Sequence, residues 1–97
     1  MQETTVVVHN KVGLHARPAA MFVQLANKFK SEILIAKIGA GGADKEVNAK
    51  SILSILTMAV CQGTKVRIRA NGGDEEDAVS ALREMIETNF GQPGGEA

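Results

Sequence analysis

The strict alternation of Lys65-Val66-Arg67-Ile68-Arg69-Ala70 limits what this chain can fold into more than any other stretch. A β-strand turns successive side chains to opposite faces, so Val66, Ile68 and Ala70 share one face and Lys65, Arg67 and Arg69 the other. One face of the sheet is then buried and the other meets water, the pattern of antiparallel sheets rather than of parallel sheets covered on both sides. Helices have to gather on the buried side.

The remaining elements fit that frame. Thr4-Thr5-Val6-Val7-Val8-His9 is short and β-branched and reads as a first strand, closed by the turn-forming Asn10-Lys11-Val12-Gly13. Within 16–29, Ala19, Phe22, Val23 and Ala26 recur at helical spacing, with Lys28 and Lys30 near the expected C-terminal end, where cations suit the helix dipole. Glu32 to Ile38 is an apolar strand. Gly39 to Asp44 reads as a flexible hairpin connection, lacking the Lys-Ser/Thr of a phosphate-binding P-loop, and Glu46-Val47-Asn48 as a brief strand.

Ser51 is placed to cap a helix running to about Cys61, with Gly63 as its terminating glycine. Ile52, Ile55, Leu56 and Ala59 form its expected core stripe, whereas Leu53, Met58 and Val60 lie off it. A helix apolar almost all round exposes part of that surface unless something covers it, which suggests a docking patch. Cys61, late in this helix, is expected to be a small buried hydrophobe. Asn71-Gly72-Gly73 then turns the chain and Asp74 caps a last helix with Glu75, Glu76 and Asp77 in its first turn. Ala78, Leu82, Met85 and Ile86 are its buried positions, and Gly91 and Pro93 its stop. The order β-α-β-β-α-β-α predicts a two-layer α+β sandwich, and the pattern alone also admits a ferredoxin-like arrangement.

At 97 residues the chain is expected to form one domain over residues 1–91 with a disordered tail at 92–97, leaving no room for a second catalytic lobe. Function must come from a surface site. Trp and Tyr are absent, which argues against a nucleic-acid stacking platform. Residues 1–73 hold ten Lys/Arg against four Asp/Glu, and residues 74–97 one against seven, so a net charge of zero conceals a polarised chain. The single cysteine and the lack of a signal-like leader point to the cytoplasm, and no apolar run approaches the roughly 20 residues that span a bilayer.

Chemistry concentrates in Gly13-Leu14-His15-Ala16-Arg17-Pro18-Ala19-Ala20. Proline is tolerated in the first turn of a helix, so Pro18 sets His15 at or beside the N-cap, where free backbone N–H groups and the helix dipole favour an anion. With a nucleophilic imidazole and the Arg17 guanidinium within three residues, the run can hold a phosphoryl group. His9 has no second ligand at metal-binding spacing and reads as a surface or structural residue. No metal or cofactor is expected.

This motif, together with Val47-Asn48-Ala49-Lys50-Ser51-Ile52 and Gly72-Gly73-Asp74-Glu75-Glu76-Asp77-Ala78, resembles the HPr family, phosphocarriers of the bacterial phosphoenolpyruvate-dependent sugar phosphotransferase system. The resemblance covers nearly the whole chain. It implies an open-faced sandwich of a four-stranded antiparallel sheet with three helices on one face. It also implies a monomeric carrier, not itself an enzyme, whose His15 Nδ1 accepts a phosphoryl group from enzyme I and passes it to enzyme IIA domains. Arg17 would be the charge partner, and Ala16, Ala20, Ile52, Leu53 and Leu56 the docking residues. Ser51, an N-cap on the residues alone, gains from the resemblance a second reading as a regulatory phosphoserine made by an HPr kinase and read by a catabolite-control transcription regulator. A phospho-regulated binding module, or a carrier in a nitrogen-regulatory branch, stays open as an alternative. The chain departs from the family in its long 39–45 connection and in Thr57-Met58-Ala59, where many members have Ser/Thr-Leu-Gly.

Overall fold

The computed structural model describes residues 1–9, 13–14, 16–39, 41–43, 45–88 and 90. Its elements are β1 (Gln2–Val7), α1 (Ala16–Ala26), β2 (Glu32–Gly39), β3 (Gly42–Ala43), β4 (Val47–Asn48), α2 (Ile52–Thr57), β5 (Lys65–Asn71) and α3 (Glu75–Glu87). All pairings are antiparallel. β5 lies between β1 and β2, and the far edge of β2 is taken by the two short pieces β3 and β4. This is an α+β open sheet with three helices. Among the described residues β1 pairs only with β5 and so forms an edge, which differs from the ferredoxin-like arrangement, where the first strand is internal.

The alternation at 65–70 is realised as read. Val66, Ile68 and Ala70 are fully buried and face Phe22, Ile55, Leu82 and Ile86 from the helices, within one core that also takes Val6, Ile33 and Ile35. Removing each large aliphatic or aromatic side chain of this kind from water contributes about 1.5–3 kcal/mol. On the other face Arg67 and Arg69 reach Glu46, each at 3.2 Å, so this residue, expected in a strand, instead neutralises part of the open face just before β4. The expected 39–44 connection is also partly sheet. Gly42 and Ala43 pair back onto Gly39 and Ile38, and because Ile35 pairs with Val47 while Ile38 pairs with Ala43, three steps along β2 meet four on its partner. The third strand is thereby broken into two.

Helix ends differ from the sequence expectation, for reasons that lie elsewhere in the fold. α1 stops at Ala26, leaving Lys28 and Lys30 beyond it. The cation at this end is Lys50, whose Nζ donates to the Phe29 carbonyl at 2.7 Å, while the Asn27 side chain donates to the Val23 and Lys50 carbonyls. An ammonium brought from the loop after β4 thus satisfies a carbonyl that follows the helix. In α3, Val79 joins the buried set and Met85 is only half-buried, and the helix closes at Glu87, before Gly91 and Pro93, which lie outside the described residues. The segment 92–97 lies outside them too.

Asp74 does not cap α3 with its side chain. Its carboxylate accepts from the Lys30 N–H (2.8 Å), the Ser31 N–H (2.9 Å) and the Ser31 hydroxyl, holding the end of the α1–β2 turn against the start of α3. Ser31 is buried, and a Cβ on Gly72 would lie 2.7 Å from its Cα, so glycine is required there for close approach. Glu75, the first residue of α3, accepts from the Gly72 N–H in the preceding turn at 3.1 Å.

Hydrogen bonds from Ser31 and Lys30 hold the Asp74 carboxyl below the usual carboxylate range. A folded-state pKa below the unfolded one gives stability that is complete above the unfolded value of about 4 and is lost as pH falls through the folded value. Asp74→Asn is therefore expected to melt below the unmutated protein at pH 7, with the gap closing as the pH is lowered through the acid range. Thermal melts at a series of pH values check this, and a gap that stays constant with pH would contradict it.

Candidate functional site

The strand-to-helix connection that carries the sequence motif is pinned by the segment following α2. The Val8 N–H donates to the Thr64 carbonyl at 2.9 Å, the Gly63 N–H donates to the Val8 carbonyl at 2.7 Å, and the Gln62 side chain donates to the His9 carbonyl at 3.1 Å. On the other side of residues 10–12 the Leu14 N–H donates to the Val60 carbonyl at 3.0 Å. Leu14 is buried, and Gly13 sits at φ +61 with its backbone so close to the 60–61 segment that a Cβ would lie 2.2 Å from the Val60 oxygen.

Position 15 lies outside the described residues. Its neighbours are described: Leu14 is anchored in the core, and α1 begins at Ala16, the next residue along. Ala16 and Arg17 are exposed, whereas Pro18 is buried in the first turn, where its missing N–H breaks no helical bond. Among the described residues the Arg17 guanidinium has no hydrogen bond or ion pair, so it is available to an anion at this end of the helix. No group of three or more metal-ligating side chains occurs among the described residues.

Ser51 is the N-cap of α2, as expected. Its backbone is extended (φ −110°, ψ 114°) and its Oγ accepts from the Ser54 N–H at 3.3 Å. The preceding motif has structural work of its own, since the Asn48 side chain accepts from the Lys50 N–H and the buried Ala49 donates to the Ile33 carbonyl. α2 itself is shorter than expected. It ends at Thr57 with Met58 as C-cap, and Ala59, not Gly63, takes the left-handed conformation just beyond it at φ +54. Gly63 belongs instead to the turn from Cys61 to Thr64.

That early exit changes which side chains face inward. Ile55, Met58 and Val60 are buried, while Ile52 (38% exposed), Leu53 (74%) and Leu56 (39%) form an apolar surface, with Ala59 exposed beside it. Cys61, expected to be buried, is exposed, because the reversal at Ala59 turns Val60 inward in its place. Leu14, Leu56, Ala59, Val60 and Cys61 line a groove of about 220 Å³ joining the end of α2 to the anchored residue before position 15.

A family model described as "PTS HPr component phosphorylation site" matches residues 2–88. The chain belongs to the HPr family. It is 42% identical over 92 residues to the phosphocarrier protein HPr of Xylella fastidiosa strain 9a5c, covering 95% of this chain and 98% of that one. It is 47% identical over 87 residues to the HPr-like protein Crh of Halalkalibacterium halodurans, covering 90% and 98%. The crystal structure of HPr-C-His from Thermoanaerobacter tengcongensis superimposes with a TM-score of 0.87 at 50% identity, covering 95% of this chain and 98% of that one. The HPr phosphocarrier family of the phosphotransferase system thus accounts for the open sheet, the three helices and the motif before α1.

For an HPr-family chain, the features that sequence reasoning missed all belong to the bracing of the site. Neither the Val60 carbonyl nor the Gly13 close approach has a local signature, although Gly13, five residues before a first-turn proline, marks a special turn. Gly13→Ala forces a methyl group into the Val60 carbonyl and an L-residue into the left-handed region. Overlap and strain together are expected to remove at least about 2 kcal/mol of stability. Urea unfolding measures this, and a variant as stable as the parent would show that the connection is not held at this distance.

Proposed function

We propose that the protein is a phosphocarrier in which His15 accepts a phosphoryl group from phosphorylated enzyme I and passes it to enzyme IIA domains. The observation that carries this reading is the start of α1 immediately after position 15, with an exposed Arg17 at its second residue that has no hydrogen bond or ion pair among the described residues. The lone pair of a neutral imidazole Nδ1 would form the new P–N bond as the bond to the donor breaks, and the helix start and Arg17 offset the oxyanion charge. Arg17, fixed in charge and presenting a planar fork, suits a group that must be held and then released. Ala16, Ala20, Ile52, Leu53 and Leu56 supply an apolar rim for partners that dock in turn on one copy of the chain. An exposed, unpaired Cys61 fits a reducing cytoplasm.

Incubation with phosphoenolpyruvate and enzyme I is expected to give an acid-labile adduct that is absent in His15→Ala. Arg17→Ala is expected to slow adduct formation roughly 10- to 100-fold, equivalent to one charge-assisted hydrogen bond of about 1.5–3 kcal/mol, with the melting temperature unchanged because Arg17 is exposed. No adduct on the parent protein refutes the carrier, and an unchanged rate in Arg17→Ala refutes the charge partner.

Ser51 supports a second level of control. A phosphate on its Oγ would sit at the start of α2, where negative charge is tolerated, while setting about two charges beside Ile52, Leu53 and Leu56. The effect would fall on docking rather than on folding, disfavouring enzyme I and offering a new surface to a transcription regulator. An ATP-dependent HPr kinase is expected to label the parent protein and not Ser51→Ala. Equal labelling of both would remove the serine from the scheme.

A further inference from the structure

Ala59 is a non-glycine residue in the left-handed region, and its own side chain does not hold it there. It is exposed, so packing of its methyl group cannot explain φ +54. The backbone on either side supplies the explanation. Met58 and Val60 are both buried, the Ala59 N–H donates to the Leu56 carbonyl at 3.3 Å, and the next carbonyl, that of Val60, accepts the Leu14 N–H at 3.0 Å. A backbone conformation that brings Cβ against the following carbonyl persists only where its surroundings over-determine it. An extended residue at 59 would turn Val60 out of the core and its carbonyl away from Leu14.

We propose that Ala59 is a positioning residue for phosphoryl transfer: its left-handed turn at the end of α2 aims the Val60 carbonyl at Leu14 and so fixes the Gly13-Leu14 segment that leads into α1. The proposal rests on the phosphocarrier reading. It makes α2 more than a docking surface. The six-residue helix has Ser51 as its N-cap at one end and, just past the other, the turn that anchors the residue before position 15. Because the Ala59 side chain is exposed, substitutions there change the tolerance for positive φ with little change in core packing.

Ala59→Asn and Ala59→Val place side chains of similar size on the surface, but asparagine enters the left-handed region readily and β-branched valine does not. Ala59→Val is expected to exchange its Leu14 amide hydrogen about tenfold faster and to be phosphorylated by enzyme I and phosphoenolpyruvate correspondingly more slowly, whereas Ala59→Asn stays near the parent in both. Ile86→Val, in the core side of α3, controls for lost stability and should leave Leu14 exchange and phosphorylation unmoved when compared at matched stability. If Ala59→Val and Ile86→Val behave alike in both readouts, the proposal is overturned. Ala59→Gly keeps it testable should the valine variant not fold, since removing the strain should raise the melting temperature with Leu14 still protected. No rise in melting temperature, or an unprotected Leu14 amide in the parent, also overturns it. Exchange needs no phosphorylation, so these failures are distinct from failure of the carrier reading, which shows as no adduct on the parent and takes the proposal with it.

Discussion

Val66, Ile68 and Ala70 are fully buried while Lys65, Arg67 and Arg69 on the same strand face the open side, and β5 pairs with both β1 and β2. Because this internal strand is apolar on one face only, the sheet takes helices on that face alone. α1, α2 and α3 consequently share one layer, and Phe22, Ile55, Leu82 and Ile86 meet in a single core. The open face is completed by Glu46 between the two arginines, a half-buried carboxylate that keeps the cations from facing one another unscreened.

One-sided packing also leaves the connection before α1 dependent on distant chain. A connection between an edge strand and the first helix has no sheet ladder of its own to hold it. Here the 59–64 segment serves as its partner, through Thr64, Gly63, Gln62 and Val60, so the connection is braced by chain some fifty residues away. At the start of α1, Ala16 and Arg17 are exposed while Leu14 and Pro18 are buried. The exposed apolar surface of Ile52, Leu53 and Leu56 lies on the same short helix whose exit supplies the Val60 brace.

Features that depend on near neighbours in sequence were legible. The period-2 pattern at 65–70, the stripe Ala19, Phe22 and Ala26, the Ser51 cap and the first-turn proline each follow from backbone geometry acting over a few residues. Lys50 shows where such reading stops. In sequence it is one residue of a motif before Ser51, whereas in the fold its ammonium satisfies the Phe29 carbonyl beyond α1, the place to which Lys28 and Lys30 had been assigned. Asp74 is similar. A carboxylate before an acidic first turn reads as a cap, yet two N–H groups and a hydroxyl from Lys30 and Ser31 outcompete one amide of its own helix.

The sequence by itself determined the one-sided sheet, the helices that cover it and the chemistry offered before α1, because periodicity and residue type are properties of contiguous chain. Only the tertiary structure decided where α2 ends, that Val60 turns inward while Cys61 is exposed, and that Ala59 holds a positive φ. These features go with contacts between distant segments, among them the bond from the Leu14 N–H to the Val60 carbonyl, and a hydrogen bond between residues so far apart leaves no periodic trace in the sequence.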